Sequence, residues 1–362
     1  MKKYFVMAAL AVSTLTASAQ SVVPKWINNV KLSGFGIVQY TYNGQENNES
    51  NSFNLRLARL ALDGRAFDDW YWKAQIQFNG NTSTLGSSPK LVDLFIEWQK
   101  YDFLRVKAGQ FKNPFTYENP MHPIDQGFMS YSQVISKFAG FSDRAGAHSS
   151  NGRDIGVQLQ GDFLKNASGR NLIHYQVGVF NGQGINVKDV DQQKNIIGGA
   201  WVMPVEGMRL GAFGWIGSYA RKGTSASEGI TNTTLRRLQQ RRYAFSAEYK
   251  VDDWTFRSEY VHSTGYAFAK AMVNTNDASA KDITLSSNGD KSQGVYALVI
   301  APIIKKKCHA KARYDMYQPS KGAEKQRTQY EIGLDYYFNK NICLTGEYAY
   351  INDRALADPN YS

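Results

Sequence analysis

Apolar and polar positions alternate with a period of two along most of the chain. Trp72, Ala74, Ile76 and Phe78 interleave with Tyr71, Lys73, Gln75 and Gln77. Val92, Leu94, Ile96 and Trp98 interleave with Asp93, Phe95 and Glu97. The pattern returns at Tyr243, Phe245, Ala247 and Tyr249, and again at Tyr330, Ile332, Leu334, Tyr336 and Phe338. Such alternation gives each strand one apolar and one charged face, so each must be half-buried against something apolar. It predicts fifteen strands, near 30–43, 52–66, 70–79, 90–99, 103–111, 152–163, 171–180, 195–203, 207–218, 241–250, 254–264, 293–300, 307–316, 327–337 and 342–351.

The connections distinguish a soluble sandwich from a membrane barrel. After even-numbered strands the turns are short, as at Asp68-Asp69, Lys100-Tyr101-Asp102, Asp252-Asp253 and Asn339-Lys340-Asn341. After odd-numbered strands they are longer: 44–51, 80–89, 112–151, 181–194, 219–240, 265–292 and 317–326. Short turns at one end and long loops at the other describe an outer-membrane barrel. Strands of about ten residues suit a tilted crossing of the hydrocarbon. Only a closed barrel pairs all the backbone groups of membrane strands. The fold expected is all-β: a transmembrane antiparallel β-barrel.

Two local irregularities follow from the pattern. In "SFNLRLARLALDGRAF", Phe53, Leu55 and Leu57 have one parity and Leu60 and Leu62 the other, so a β-bulge is expected near Ala58, with Arg56 and Arg59 both inward. Single-chain bacterial barrels have even strand numbers. An odd count, with only "RALADPNYS" after the last strand, leads us to expect that a closing strand is missing from this stretch of sequence.

The N-terminus changes the picture of where the barrel resides. Lys2 and Lys3, the apolar run Tyr4 to Thr16, and Ala17-Ser18-Ala19 have the form of a secretory signal peptide over residues 1–19. That leaves 20–362 as the barrel, and the cell outer membrane as its place. Aromatics make up 13% of the chain, with 22 Tyr and 19 Phe, as expected of strands with interfacial girdles. Cys308 and Cys343 are too few for a disulfide framework in a chain of 362 residues and are expected to be free thiols. The formal charge of +11 suits anionic partners, either small solutes or lipopolysaccharide phosphates. Export argues against nucleic acid.

Four segments in order, "NSFNLRLARL" (51–60), "LRVKAGQFKNPFTYE" (104–118), "GRDIGVQLQG" (152–161) and "YQVGVFNGQGIN" (175–186), resemble the phosphate-selective porin O and P family. The resemblance implies a 16-stranded homotrimeric porin whose third loop, here about 112–151, folds into the lumen. It also implies passage of anions, phosphate among them.

Alternation places Arg56, Arg59, Arg65, Lys73, Arg105 and Lys107 on the lumen face of strands two to five, against Asp63, Asp93 and Glu97. Arg and Lys in a pore wall replace the hydration of an anion with charge-assisted hydrogen bonds. The long loop is itself balanced, with Lys112, Lys137 and Arg144 against Glu118, Asp125 and Asp143. The candidate substrate-binding set is therefore Arg56, Arg59, Lys73, Arg105 and Lys107 on the wall, with Lys112 as the loop's contribution. A basic wall facing a balanced loop predicts weak selection.

Other motifs carry less. "NGQGIN" (181–186) is not followed by a helical pattern and is read as a flexible outer loop rather than a phosphate cradle. Asp189, Asp191 and Asn195 fall short of a calcium ligand set. The five histidines lack metal spacing, and no nucleophile elbow appears, so neither a cofactor nor an enzyme is expected. Lys305, Lys306 and Lys307 fall in an inner turn, and Arg221, Lys222, Arg236, Arg237 and Arg241 in an outer loop that faces anions or lipid phosphates. The lumen aromatics Tyr71 and Phe95 keep a general or saccharide-favouring porin as the second reading.

Overall fold

The computed structural model describes residues 5–13, 26–45, 49–79, 89–145, 151–225, 228–268, 279–280 and 291–357. Among these residues one sheet contains β1 (Phe5–Ser13), β2 (Ile27–Asn43), β3 (Ser50–Ala66), β4 (Trp70–Gln77), β5 (Lys90–Tyr101) and β6 (Leu104–Lys112). It continues through β7 (Arg153–Lys165), β8 (Asn171–Phe180), β9 (Asn195–Val202), β10 (Met208–Ser225), β11 (Ile230–Val251) and β12 (Trp254–Thr264). The rest are β13 (Ser279–Ala280), β14 (Lys291–Ile304), β15 (Cys308–Gln318), β16 (Arg327–Asn339) and β17 (Ile342–Asp353). Neighbours pair antiparallel in chain order from β2 to β12, then β12 with β14 and on to β17. The two-residue β13 is apart from this ring, running parallel to β10.

From β2 onward the fifteen expected strands are all present. The ring is closed by β1, which pairs antiparallel with β17 (Phe5 opposite Ala349) and with β2 (Phe5 opposite Asn43). This segment lies within the expected leader. In the structure β1 therefore occupies the sixteenth position of the ring. Two facing edges each carry a row of unpaired backbone groups, and in lipid those groups draw in an apolar segment of matching length. The expected cleavage site at Ala17–Ala19 lies outside the described residues, as does His148.

The strands are inside-out relative to a soluble protein. On β16, Tyr330, Ile332 and Leu334 are 52%, 60% and 53% exposed, while the alternate Glu331 and Asp335 are 5% and 6% exposed. Such a surface is stable only where hydrocarbon replaces water outside. Trp70, Tyr101, Phe103 and Trp254 remain exposed beside the short turns, where an interfacial girdle belongs.

Three expectations need correction. The bulge in β3 sits at Arg56, since Ile37 opposes Leu57 and Val38 opposes Leu55. That is two residues before Ala58, and it turns Leu57 inward to pack with Phe35, Ile37 and Met129. Residues 219–240 are mostly strand, because β10 and β11 continue as a long hairpin past Arg221, which faces Arg236. Above the membrane a strand needs no apolar face, so hydrophobic alternation could not report it. "NGQGIN" is held in place rather than loose: Gly182 N donates to Asp154 Oδ2 at 2.7 Å and Asn186 N to Gln110 Oε1 at 2.7 Å.

The segment between β6 and β7 determines what space remains inside. Asn119 Nδ2 ties its two ends, donating to Asn113 O at 2.9 Å and Gly152 O at 3.1 Å. From there it crosses to the far wall. Tyr117 N and Glu118 N donate to the Glu259 carboxylate of β12 at 2.7 and 2.9 Å. Met129 N donates to Glu347 Oε1 of β17 at 2.9 Å, and Gln133 N to Asp315 Oδ2 of β15 at 2.7 Å. A short helix, α1 (Gln133–Phe138), starts at Ser132, whose Oγ accepts from Ile135 N and donates to Glu118 Oε2 at 2.6 Å. Phe115, Val134, Ile135 and Phe138 are fully buried among Trp215, Val261, Tyr296 and Tyr317. An apolar plug thus anchors the segment to β10–β15.

Candidate functional site

Among the described residues two recesses lie inside the barrel on either side of the stretch Met121–Pro123. The smaller, about 280 Å³, is lined by Arg59, Lys73, Lys107, Lys112 and Arg153, with Asp93 as its one carboxylate. Four of these cations come from four different places: Arg59 on β3, Lys73 on β4, Lys107 on β6 and Arg153 at the start of β7. They meet because β3 to β7 are consecutive neighbours in the sheet. Lys112 opposes Arg153 on the last rung of the β6–β7 ladder.

The pairing inside this cleft is incomplete. Arg153 grips Asp93 with two bonds, Nε to Oδ1 at 2.6 Å and Nη2 to Oδ2 at 3.0 Å. Lys107 Nζ lies 3.3 Å from Glu97 Oε2. Arg59 Nε donates to the neutral Gln77 at 2.9 Å, and Lys112 Nζ to Met121 O at 2.6 Å. Among the described residues no carboxylate stands within salt-bridge distance of Arg59, Lys73 or Lys112. Their field therefore points into the cleft rather than being cancelled by a neighbour.

Of the sequence candidates, Arg59, Lys73, Lys107 and Lys112 come together here. Two do not. Arg56 lies over the Tyr131 ring at 5.6 Å and lines neither recess. Arg105 forms an ion pair with Asp162, which also bonds His174 Nδ1 at 2.7 Å. Arg153 joins the cleft unannounced by alternation. It opens β7 with the parity of the lipid-facing Val157 and Leu159, so alternation assigns it outward, yet right after the turn at Asn151 and Gly152, with φ values of 51° and 68°, it is buried against Asp93.

His122 closes one side of the cleft, its ring 4.4 Å from that of Phe35. Its Nδ1 accepts from Ile124 N at 3.4 Å. Burial, then the nearby Lys112, Lys73, Arg59 and Arg153, push its pKa down from 6.5 to about 4. It is neutral at ordinary pH.

The larger recess, about 580 Å³, opens towards the short turns at Asp252-Asp253 and Lys340-Asn341. Its charges balance: Arg209, Lys250, Lys311 and Lys340 against Asp125, Asp252, Asp253 and Asp335. Lys311 Nζ sits 2.7 Å from both Asp335 and Glu347. Beside it Arg313 meets Glu331 at 2.6 Å and Arg257 meets Glu248 at 2.7 Å. Met121 and Pro123 line both recesses, so the crossing segment is the partition between them.

Several solved outer-membrane channels share this barrel fold. The anion-selective porin from Comamonas acidovorans superposes with a TM-score of 0.52 at 13% identity, covering 97% of this chain and 98% of that one. The outer membrane channel DcaP of Acinetobacter baumannii gives 0.51 at 10% identity over 97% and 96%. A loop-L8 deletion mutant of OmpT, an outer membrane protein of Vibrio cholerae, gives 0.50 at 11% over 96% and 98%. At these identities the likeness is one of fold. The model of the phosphate-selective porin O and P family matches residues 33–191. This is an outer-membrane barrel with the fold of the porins. The stretch matched by the family model runs from β2 through the crossing segment to the loop after β8, and so includes every residue of the basic cleft. No curated protein matches the chain.

Proposed function

We propose that this porin passes small solutes passively and prefers anions, phosphate among them. The observation that carries the reading is the five-to-one excess of cations over carboxylates in the cleft beside the crossing segment. Burial and low local dielectric amplify such a field, and each anion entering exchanges water for guanidinium and ammonium donors. The segment 113–152 acts as the constriction, narrowing the lumen to the two recesses it separates. The leader, residues 1–19, belongs to export in this reading. The working unit is a homotrimer, as the family resemblance implies, set in outer-membrane lipid and lipopolysaccharide.

Reversal potentials in planar bilayers under a KCl gradient test the proposal. Chloride preference is expected, falling towards zero selectivity when Arg59, Lys73, Lys107 and Lys112 are all changed to Gln. Cation preference in the unaltered protein would overturn it, as would an unchanged potential in the fourfold variant.

A further inference from the structure

The cleft is not lined by charge alone. Phe95 lies beside Lys73 on the same wall, next to Phe111, and Pro114, Pro120, Met121 and Pro123 of the crossing segment complete an apolar part of the lining. Phe95 and Phe111 lie with ring centroids 5.9 Å apart, and Tyr71 extends the row at 6.0 Å from Phe95. Lys107 Nζ stands 4.9 Å from the Phe95 centroid and 5.3 Å from that of Phe111, so one ammonium joins the charged and apolar parts.

A small hydrated ion uses only half of such a site. Phosphate or acetate would engage the guanidinium and ammonium groups and leave the apolar surface against water. An anion with a flat apolar body covers both, and pockets of this size are commonly apolar with a few fixed polar groups. The volume of about 280 Å³ admits a single-ring solute. We propose that the cleft is a binding site for aromatic carboxylates, with the carboxylate towards Arg59 and Lys73 and the ring against Phe95 and Met121. The proposal rests on the anion-channel reading and names the solute class that this channel retains longest.

The test compares current block by benzoate, acetate and inorganic phosphate at matched ionic strength in single-channel recordings. Benzoate is expected to block at about tenfold lower concentration than acetate, the factor supplied by covering roughly 55 Å² of apolar surface. Phe95→Ala should bring the benzoate-to-acetate ratio close to one while leaving the effect of acetate in place. Met121→Ala, on the crossing segment, should lower the ratio by a smaller factor, and it decides the matter if Phe95→Ala does not fold. Lys73→Gln should weaken both acids alike. Equal block by benzoate and acetate in an anion-selective channel overturns this inference alone. A cation-selective channel overturns the functional proposal beneath it. A ratio unchanged in both apolar variants also overturns the inference.

Discussion

The two recesses share Met121 and Pro123 and little else. The small one has five cations to one carboxylate, while the large one has four of each. Both walls are rich in Arg and Lys, so basic residues alone do not mark the selective region. What differs is what the charges are engaged with. Around the large recess Arg257, Lys311 and Arg313 are matched to Glu248, Asp335, Glu347 and Glu331, and they also hold the backbone of the crossing segment. Lys311 Nζ donates to Gly127 O at 2.7 Å and Arg313 Nη1 to Ser130 O at 3.1 Å. The charges of the large recess mainly fasten the partition, whereas in the cleft only Lys112 reaches it, through Met121 O.

Removing the fastening should therefore do more than removing a cleft charge. Glu259 is fully buried and accepts from Tyr117 N, Glu118 N, Tyr296 Oη and Ser246 Oγ. Glu259→Ala leaves two backbone N–H groups without their acceptor, at about 1–3 kcal/mol each. The crossing segment should detach from β12 and the two recesses should merge. The expected outcome is a several-fold rise in single-channel conductance, loss of anion preference and faster protease cleavage within 113–152. Unchanged conductance would show that the apolar plug alone holds the partition.

A sharper contrast comes from neutralising one lysine in each recess. Lys73→Gln removes a charge from the five-to-one cleft, and Lys250→Gln removes one from the balanced recess. A unit charge about 8 Å from the solute path in water-filled space weighs roughly 0.5 kcal/mol, so Lys73→Gln should change the chloride-to-potassium permeability ratio about twofold. Lys250 lies 3.6 Å from Glu248, so its loss is met by a local partner. The ratio should move less there. Equal shifts would mean that selection is spread over the whole lumen.

Much of this was legible from alternation, and the remainder was hidden for identifiable reasons. Period two gave fifteen strands from β2 to β17, because a lipid-facing row and a lumen-facing row write opposite residue types at every step. It placed Arg59, Lys73 and Lys107 on one wall for the same reason. It failed where the chain leaves that environment. Arg153 opens β7 but turns inward against its parity, and the outer end of the β10–β11 hairpin packs Tyr219 and Leu238 against Ala145, Val187 and Phe268 rather than against lipid. Arg56 also points inward, but at the bulge it lies over the Tyr131 ring of the crossing segment and lines neither recess. Which inward charges face solute and which hold the partition depends on contacts between Glu118 and Glu259, or Gln133 and Asp315, more than 100 residues apart. No local pattern contains that information.

The smallest expected effect is that of acid, and its sign follows from His122. Its pKa is lowered from 6.5 to about 4 by burial and by Lys112, Lys73, Arg59 and Arg153 around it. A histidine whose folded value is depressed binds its proton more readily once the chain is released, so stability is full above about 6.5 and declines as pH falls towards 4. Asp125 on the same segment is shifted the other way, upward, by burial and against the pull of Lys250 and Arg257. It takes up a proton more readily in place, and this partly offsets the loss due to His122. Selectivity should therefore stay flat from neutral pH down to about 5. Near 4 the cleft gains a sixth positive charge while its partition loosens, so anion preference should rise slightly as current noise increases. In His122→Gln the acid-induced rise in preference should vanish, and the flat region should extend to lower pH. If that variant keeps the same acid response, the change arises in the carboxylates of the balanced recess, and the two recesses differ less in acid than at neutral pH.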